Sequence, residues 1–212
     1  MTKDCVGRFA LSKAERWALG VAAALLLLQA SGLGESLEYR RALLASEPWR
    51  LFTGHLVHIN WPHALINAAA LVIVARLFAP DLSAPRQALV LVSAALLISL
   101  GLGSFAPQVY WYRGLSGALH ALFFAGATLW LVTARPRTAG ALWLPAALFV
   151  GGWIKVALEQ PAGETLPYAD WLGAAVVPQA HWIGAAWGTA LGLALALAKS
   201  RQREQRAEQQ QR

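Results

Sequence analysis

Charge is scarce in this sequence: 14% of its 212 residues are Asp, Glu, Lys or Arg, 57% are hydrophobic, and the mean hydropathy is +0.45. That scarcity excludes a disordered chain and an ordinary water-soluble domain. Cysteine is nearly absent as well, and the single Cys5 excludes a disulfide framework or a thiolate metal site. No repeat of solenoid length occurs, and the short connections leave no room for a second domain. Acidic residues number 11 against 18 basic ones, for a formal net charge of +7 and a pI near 10.2.

What is present is a set of long stretches free of Lys, Arg, Asp and Glu. They cover residues 17–34, 51–75, 87–112, 114–134, 138–154 and 171–198, together 135 of the 212 residues. A helix rises 1.5 Å per residue and a bilayer core is about 30 Å thick, so each stretch approaches or exceeds the roughly 20 residues needed to span. The expected fold class is an all-α polytopic membrane protein with six transmembrane helices. It divides into a cytoplasmic basic leader (1–16), a six-helix domain (17–198) and a polar, basic cytoplasmic tail (199–212), for which a solvated reading is preferred over lipid-headgroup binding. The leader and first stretch, ending Gln29-Ala30-Ser31-Gly32, have the outline of a cleavable signal peptide. The uncharged run is longer than a usual signal core and is read as the first span.

Six spans put both termini on one side, and placing them in the cytoplasm assigns 13 of the 18 basic residues there, from Lys3, Arg8, Lys13 and Arg16 to Lys199, Arg201, Arg203, Arg206 and Arg212. Arg40, Arg41, Arg50 and Arg113 fall outside, and Lys155 sits near a helix end. The loop from Glu159 to Asp170 has acids and no basic residue, as suits an outer loop. The positive charge thus describes membrane topology, and no nucleic-acid partner is needed to explain it.

Polar residues inside a bilayer are costly, and here they collect at one level. The second, fourth and sixth spans run inward from the outer face. Near their outer starts they carry His63 and Asn67 after Pro62, Ser116 and His120 after Gly114, and His181 after Pro178. A serine hydroxyl needs a base to become a nucleophile, and the candidates at that depth are His181, His120 and His63. No Asp or Glu lies in the inner part of any span, so the expectation is a Ser-His dyad and not a buried triad. Gly114 and Gly117 allow a tight turn beside Ser116, whose place at a helix start offers unpaired N–H groups and the positive dipole end to an oxyanion. Asn67 and His63 are further candidate donors. Gly184 and Gly188, in GAAWG, form a small-xxx-small face; if it meets the Ser116 helix, His181 comes within reach of the hydroxyl.

These residues together resemble the rhomboid family of intramembrane serine proteases. The family's WR dipeptide is Trp49-Arg50, its HxxxxHxxxN is His58, His63 and Asn67, its GxSG is Gly114-Leu115-Ser116-Gly117, and its Ala-His with later glycines is Ala180-His181, Gly184 and Gly188. The resemblance covers all six expected spans. It implies Ser116 as nucleophile and His181 as general base, an oxyanion hole of His63, Asn67 and the Ser116 amide, a supporting role for His58 and a structural one for Arg50 in the first outer loop. It implies neither cofactor nor metal. Many rhomboids carry Tyr four residues after the serine, stacked on the catalytic imidazole, where this chain has His120. Packing, tuning of His181 and service as an alternative base are all open to it, with tuning preferred. GHLVHINWPH (54–63), SGALHALF (116–123) and the Lys155/Glu159 pair near VALEQ look like the rhombosortase branch. That branch implies a bacterial inner-membrane enzyme, its site opening to the periplasm, which cleaves membrane-anchored envelope proteins near a C-terminal Gly-Gly anchor.

Blander readings stand beside these. His55, His58 and His63 could form a metal cluster, and histidines on separate spans could hold haem. An inactive rhomboid-like scaffold that binds membrane proteins without cutting them has no need of a complete serine and histidine pair. Ser93, Ser99 and Ser104 read as helix-packing glue. Lys155 and Glu159, four residues apart, read as a snorkelling pair of little energetic weight. Trp49, Trp61, Trp111, Trp153, Trp171 and Trp182 read as an interfacial aromatic belt.

Overall fold

The computed structural model describes residues 11–134, 142–159 and 176–211. Lys3, Cys5 and Arg8 of the leader, Arg135 and Arg137, the start of the fifth stretch at Thr138, the acidic loop beyond Glu159 with Trp171, and Arg212 lie outside these residues.

Helices dominate the described chain: α1 (Lys13–Ala30), α2 (Gly34–Leu37), α3 (Arg50–Thr53), α4 (Trp61–Phe78), α5 (Ala84–Phe105), α6 (Ser116–Thr133), α7 (Trp143–Leu158) and α8 (Pro178–Gln211). Four of them, α4, α5, α6 and α8, are long and apolar enough to cross a bilayer. The 18-residue α1 has charged residues in its first turn, and α7 has 16 residues. Leu27, Ile73, Leu89, Phe105 and Ile154 are all more than half exposed. Such an outward apolar girdle belongs against lipid, where only self-satisfied helices can run. The chain is a multi-pass, all-α membrane protein.

Local chemistry sets the helix starts. Ser12 and Glu15 close a reciprocal capping box on α1. The Asn60 side chain accepts the His63 N–H at 2.9 Å and Pro62 fills the first turn, so α4 begins at Trp61. The charge-free stretch from Leu51 is therefore not one span. Its first ten residues belong to a folded loop, here called the outer loop after the side expected for it, because the cap and proline start the helix late. That loop is held by two arginines. Arg41 donates to the carbonyls of Leu102, Gly103 and Ala106, the open C-terminal end of α5. Arg50, 6% exposed, donates to the Glu38 and Glu35 carbonyls and to Glu47. A two-residue antiparallel pair, β1 (Tyr39–Arg40) with β2 (Trp111–Tyr112), ties the loop to the segment just before α6.

At the centre stands α6, which packs against α4, α5, α7 and α8. Its Ala118, Ala121, Leu122, Phe124 and Ala125 are wholly buried. The tightest seam is with α8: a Cβ on Gly184 would lie 2.0 Å from the Gly117 carbonyl oxygen, and one on Gly188 would lie 2.2 Å from that of Ala121. Only hydrogen in place of a side chain permits this approach. At the end of the bundle remote from Ser116, Arg76 pairs with Glu15 and Lys199 with Asp81, which also accepts from Trp130. The tail beyond Ala198 continues α8 as helix to Gln211, with residues 200–211 exposed. It is thus both helical and solvated. Trp49, Trp61, Trp111 and Trp182 are exposed, whereas Trp153 packs on Phe124 at 4.9 Å between ring centroids. Ser93 accepts from Trp187, joining α5 to α8, and Ser99 bonds His55 and the Leu51 carbonyl, joining α5 to the outer loop.

Candidate active site

The turn that delivers Ser116 is pinned on both sides. Gly114 has φ +128, its N–H donates to the Gly54 carbonyl at 3.0 Å, and its own carbonyl accepts the Tyr112 hydroxyl at 2.7 Å. A side chain there would meet both the left-handed strain and the His63 ring, whose Cε1 would lie 2.6 Å from the new Cβ. Ser116 then opens α6, and no described side chain caps that start. First-turn N–H groups of an uncapped helix have no intrahelical partner and face the positive end of the dipole.

The glycine seam between α6 and α8 sets the next distance. His181, 5% exposed, lies one turn inside α8, with its Nε2 2.9 Å from the Ser116 hydroxyl. His181 Nδ1 lies 2.8 Å from Glu159 Oε2. An ionised carboxylate only accepts, so Nδ1 carries the proton and Nε2 is left to accept from the serine. This corrects the expectation of a dyad without a carboxylate. Glu159 caps the C-terminus of α7, is 4% exposed, and reaches the imidazole from the C-terminal end of its helix.

Lys155, one turn earlier, is not a free snorkelling cation. Its ammonium lies 2.7 Å from Glu159 Oε1 and 2.7 Å from His120 Nε2. His120 Nδ1 is 2.8 Å from the Ser116 carbonyl, and its ring stacks on His181 with centroids 4.3 Å apart and planes 19° apart. Every proton in this ring can be placed. The carbonyl can only accept, so His120 Nδ1 donates; the ammonium can only donate, so His120 Nε2 and Glu159 both accept. Ser116, His181, Glu159, Lys155 and His120 form one closed cycle of hydrogen bonds in which Lys155 donates to both neighbours and Glu159 accepts from both.

Near this cycle, Asn67 is 3% exposed and donates one amide hydrogen to the His63 carbonyl, leaving its second available. His63 lies edge-on to the buried His58, with centroids 5.1 Å apart. Burial pushes the His58 imidazole down to about 3, with His63 adding to the effect, and burial pushes His55 down to about 4. Both are neutral at physiological pH. Ser116, His181, His63, Asn67, His120 and Lys155 all line one cavity of about 730 Å³. Its other lining is largely apolar, including Ile66 and Ala70 of α4 and Gly152 of α7, with Gln108 and Arg113 as polar exceptions.

A metal reading finds a different set of residues from the one expected. Among the described residues, His120, Glu159 and His181 bring ligand atoms within 4.8 Å of one another. The Lys155 ammonium already bonds two of the three, and His181 uses its Nδ1 proton on the third, so the donors are committed to the cycle. His55, by contrast, bonds Ser99.

Sequence reasoning brings Ser116, His181, His63, Asn67 and His120 to one place and misses Glu159 and Lys155. The signal is legible all the same. The i, i+4 spacing puts both on one face at the C-terminal end of α7, near the other polar groups of the site. A carboxylate that reaches His181 need not lie in the middle of a span, and this one stands at a helix end.

No curated protein matches the sequence. The model of the Rhomboid domain family matches residues 45–198, which takes in the later part of the folded loop, all the residues of the cycle and the glycine seam. The chain belongs to the rhomboid family of intramembrane serine proteases.

Proposed function

We propose that this chain is an active intramembrane serine endopeptidase, and that it cuts bacterial envelope proteins close to a C-terminal Gly-Gly and transmembrane anchor. The observation that carries the reading is the 2.9 Å contact between the Ser116 hydroxyl and His181 Nε2 in a cavity shared with His63 and Asn67. Ser116 Oγ attacks the scissile carbonyl carbon while its proton passes to His181 Nε2. The carbonyl π electrons move to oxygen, and that oxyanion is met by the Ser116 amide, the free Asn67 amide hydrogen and His63. Collapse of the intermediate expels the amine, which takes the proton from His181. Water then repeats the sequence on the acyl-enzyme, with His181 again as base, and releases the acid and free serine.

The site accepts a membrane-embedded substrate from the side, along the apolar cavity between α4 and α7. Six spans with both termini in the cytoplasm place Ser116 toward the periplasm of a bacterial inner membrane. Support comes from the opposite ends of the bundle, since Arg76, Arg86 and Lys199 lie remote from the serine. The Gly-Gly preference rests on the resemblance of residues 54–63 and 116–123 to the rhombosortase branch. Arg50 and His58 act by holding the outer loop in place.

Co-expression with an envelope protein carrying a Gly-Gly C-terminal anchor tests both levels. Cleavage by wild type and none by Ser116→Ala or His181→Ala is the expected result, the two variants being equally inactive because nucleophile and base act as one unit. Serine-dependent cleavage of some other membrane helix, with this anchor left intact, removes the substrate assignment alone. Cleavage that persists in Ser116→Ala removes the catalytic assignment.

A further inference from the structure

We propose that Glu159 is a positioning residue for His181, completing a Ser-His-Glu triad, and that Lys155 determines which way the Glu159 side chain can serve it. The inference rests on the serine protease reading and extends it to a residue on α7, which that reading leaves without a role.

Three observations bear on Glu159. It is 4% exposed at the end of α7, while its partner Lys155 is half exposed, so the pair is not two solvated charges meeting at a surface. Its two oxygens are divided, Oε2 to His181 Nδ1 at 2.8 Å and Oε1 to Lys155 Nζ at 2.7 Å. Lys155 is in turn anchored on His120, which stacks on the same imidazole that Glu159 holds. Orientation of the ring is thereby determined in its plane by Glu159 and out of its plane by His120. The described charged and titratable groups facing His181 are Glu159 and Lys155 on α7, His120 on α6 and His63 on α4.

A carboxylate beside Nδ1 does two things. It selects the tautomer with Nε2 free to accept the serine proton, and it stabilises the imidazolium that forms when the proton arrives. Lys155 compensates the carboxylate charge at its far oxygen.

This arrangement makes a directional prediction for Glu159→Gln. The amide has a single oxygen, and the ammonium, being a pure donor, claims it. The NH2 group then faces His181, donates to Nδ1 and selects the Nε2–H tautomer, which cannot take the serine proton. Removing the ammonium frees the amide to turn its oxygen to Nδ1–H. Lys155→Met combined with Glu159→Gln is therefore expected to be more active than Glu159→Gln alone. A residue that only props the fold has no reason to show such a rescue.

The experiment uses the full-length protein in liposomes with a fluorescent membrane-anchored substrate that the wild type cuts, and it includes Ser116→Ala. The expected result for Glu159→Gln is a kcat lower by roughly 10²–10⁴-fold with KM little changed, and a recovery of about tenfold or more in the double variant. Protein labelled with ¹⁵N-histidine provides a readout independent of turnover: His181 shows the Nδ1–H tautomer in wild type and in Ser116→Ala, and the Nε2–H tautomer in Glu159→Gln. Wild-type kcat and pH profile in Glu159→Gln, or an unchanged His181 tautomer, would overturn the triad while Ser116 dependence still stood. Activity in Ser116→Ala would instead overturn the protease reading. If Glu159→Gln does not fold, the test falls to Lys155→Met. There the triad requires the Nδ1–H tautomer to persist with residual activity, and its loss would count against the proposal.

Discussion

Ser116 contributes three groups to the site, and each has its own partner. The hydroxyl faces His181, the carbonyl accepts from His120, and the amide lies at the uncapped start of α6. Side chains around it can therefore be separated by what they touch. In the proposed mechanism Asn67 donates to the oxyanion, so Asn67→Ala should lower kcat by about 10²–10³-fold with a small change in KM, in steady-state cleavage assays. His120 contributes a stacked ring and a proton. His120→Ala is expected to lower kcat on the order of tenfold, the scale of one aromatic pair, and His120→Phe, which keeps the ring, should lose less. Equal losses for the two variants would show that its nitrogens matter more than its stacking.

Among the elements, the α6–α8 seam is the most demanding. Gly184 approaches the Gly117 carbonyl so closely that even a methyl group must force the helices apart. Gly184→Ala should lower stability by about 1–3 kcal/mol through overpacking and reduce activity further by lengthening the Ser116–His181 contact. Gly20, in the middle of α1, has nothing within 4 Å of the position a methyl group would take, so Gly20→Ala should leave activity unchanged and raise stability by up to ~1 kcal/mol through helix propensity. Thermal unfolding in detergent beside a cleavage assay distinguishes the two glycines. At the head of α4, Asn60→Ala removes a cap and should cost about 1 kcal/mol in the same unfolding assay. GxxxG in an alanine-rich helix says little by itself. It acquires meaning here because a second small-residue face, Gly117 and Ala121, lies opposite.

For the molecule as a whole, the outer loop is a folded part of the site. It contributes His55 and His58 to the interior, and both are held neutral by burial, with values near 4 and 3 against an ordinary 6.5. In the acid range the unfolded chain therefore binds more protons than the folded one. Stability is full above pH about 6.5 and falls as pH drops from there toward 4, by at most about 1.4 kcal/mol per pH unit for each histidine. Melting midpoints in detergent across that range should decline, and His58→Gln should decline less steeply. A flat profile in wild type would mean that protons reach these rings in the folded state.

Much of this architecture follows from one dimension of information. Charge-free stretches mark the apolar helices, Pro62 and Asn60 start α4, and the distribution of Lys and Arg separates the two ends, because a bilayer imposes length, polarity and charge rules that act on each segment independently. The serine, the histidines and the asparagine were legible for the same reason, as polar residues at a common depth. The folded nature of residues 51–60 was not, since absence of charge marks burial in protein as readily as burial in lipid. Nor was Glu159. Its carboxylate belongs to the end of a helix by sequence and to the His181 imidazole only by packing. What brings it there is the approach of α7 and α8 around α6, a relation among three helices that no local pattern encodes. The sequence by itself determined which groups are available and at what level in the membrane. The tertiary structure decided which of them meet, because hydrogen bonds of 2.7–2.9 Å such as those closing the cycle through Lys155, His120 and His181 depend on helix separations set by glycine contacts.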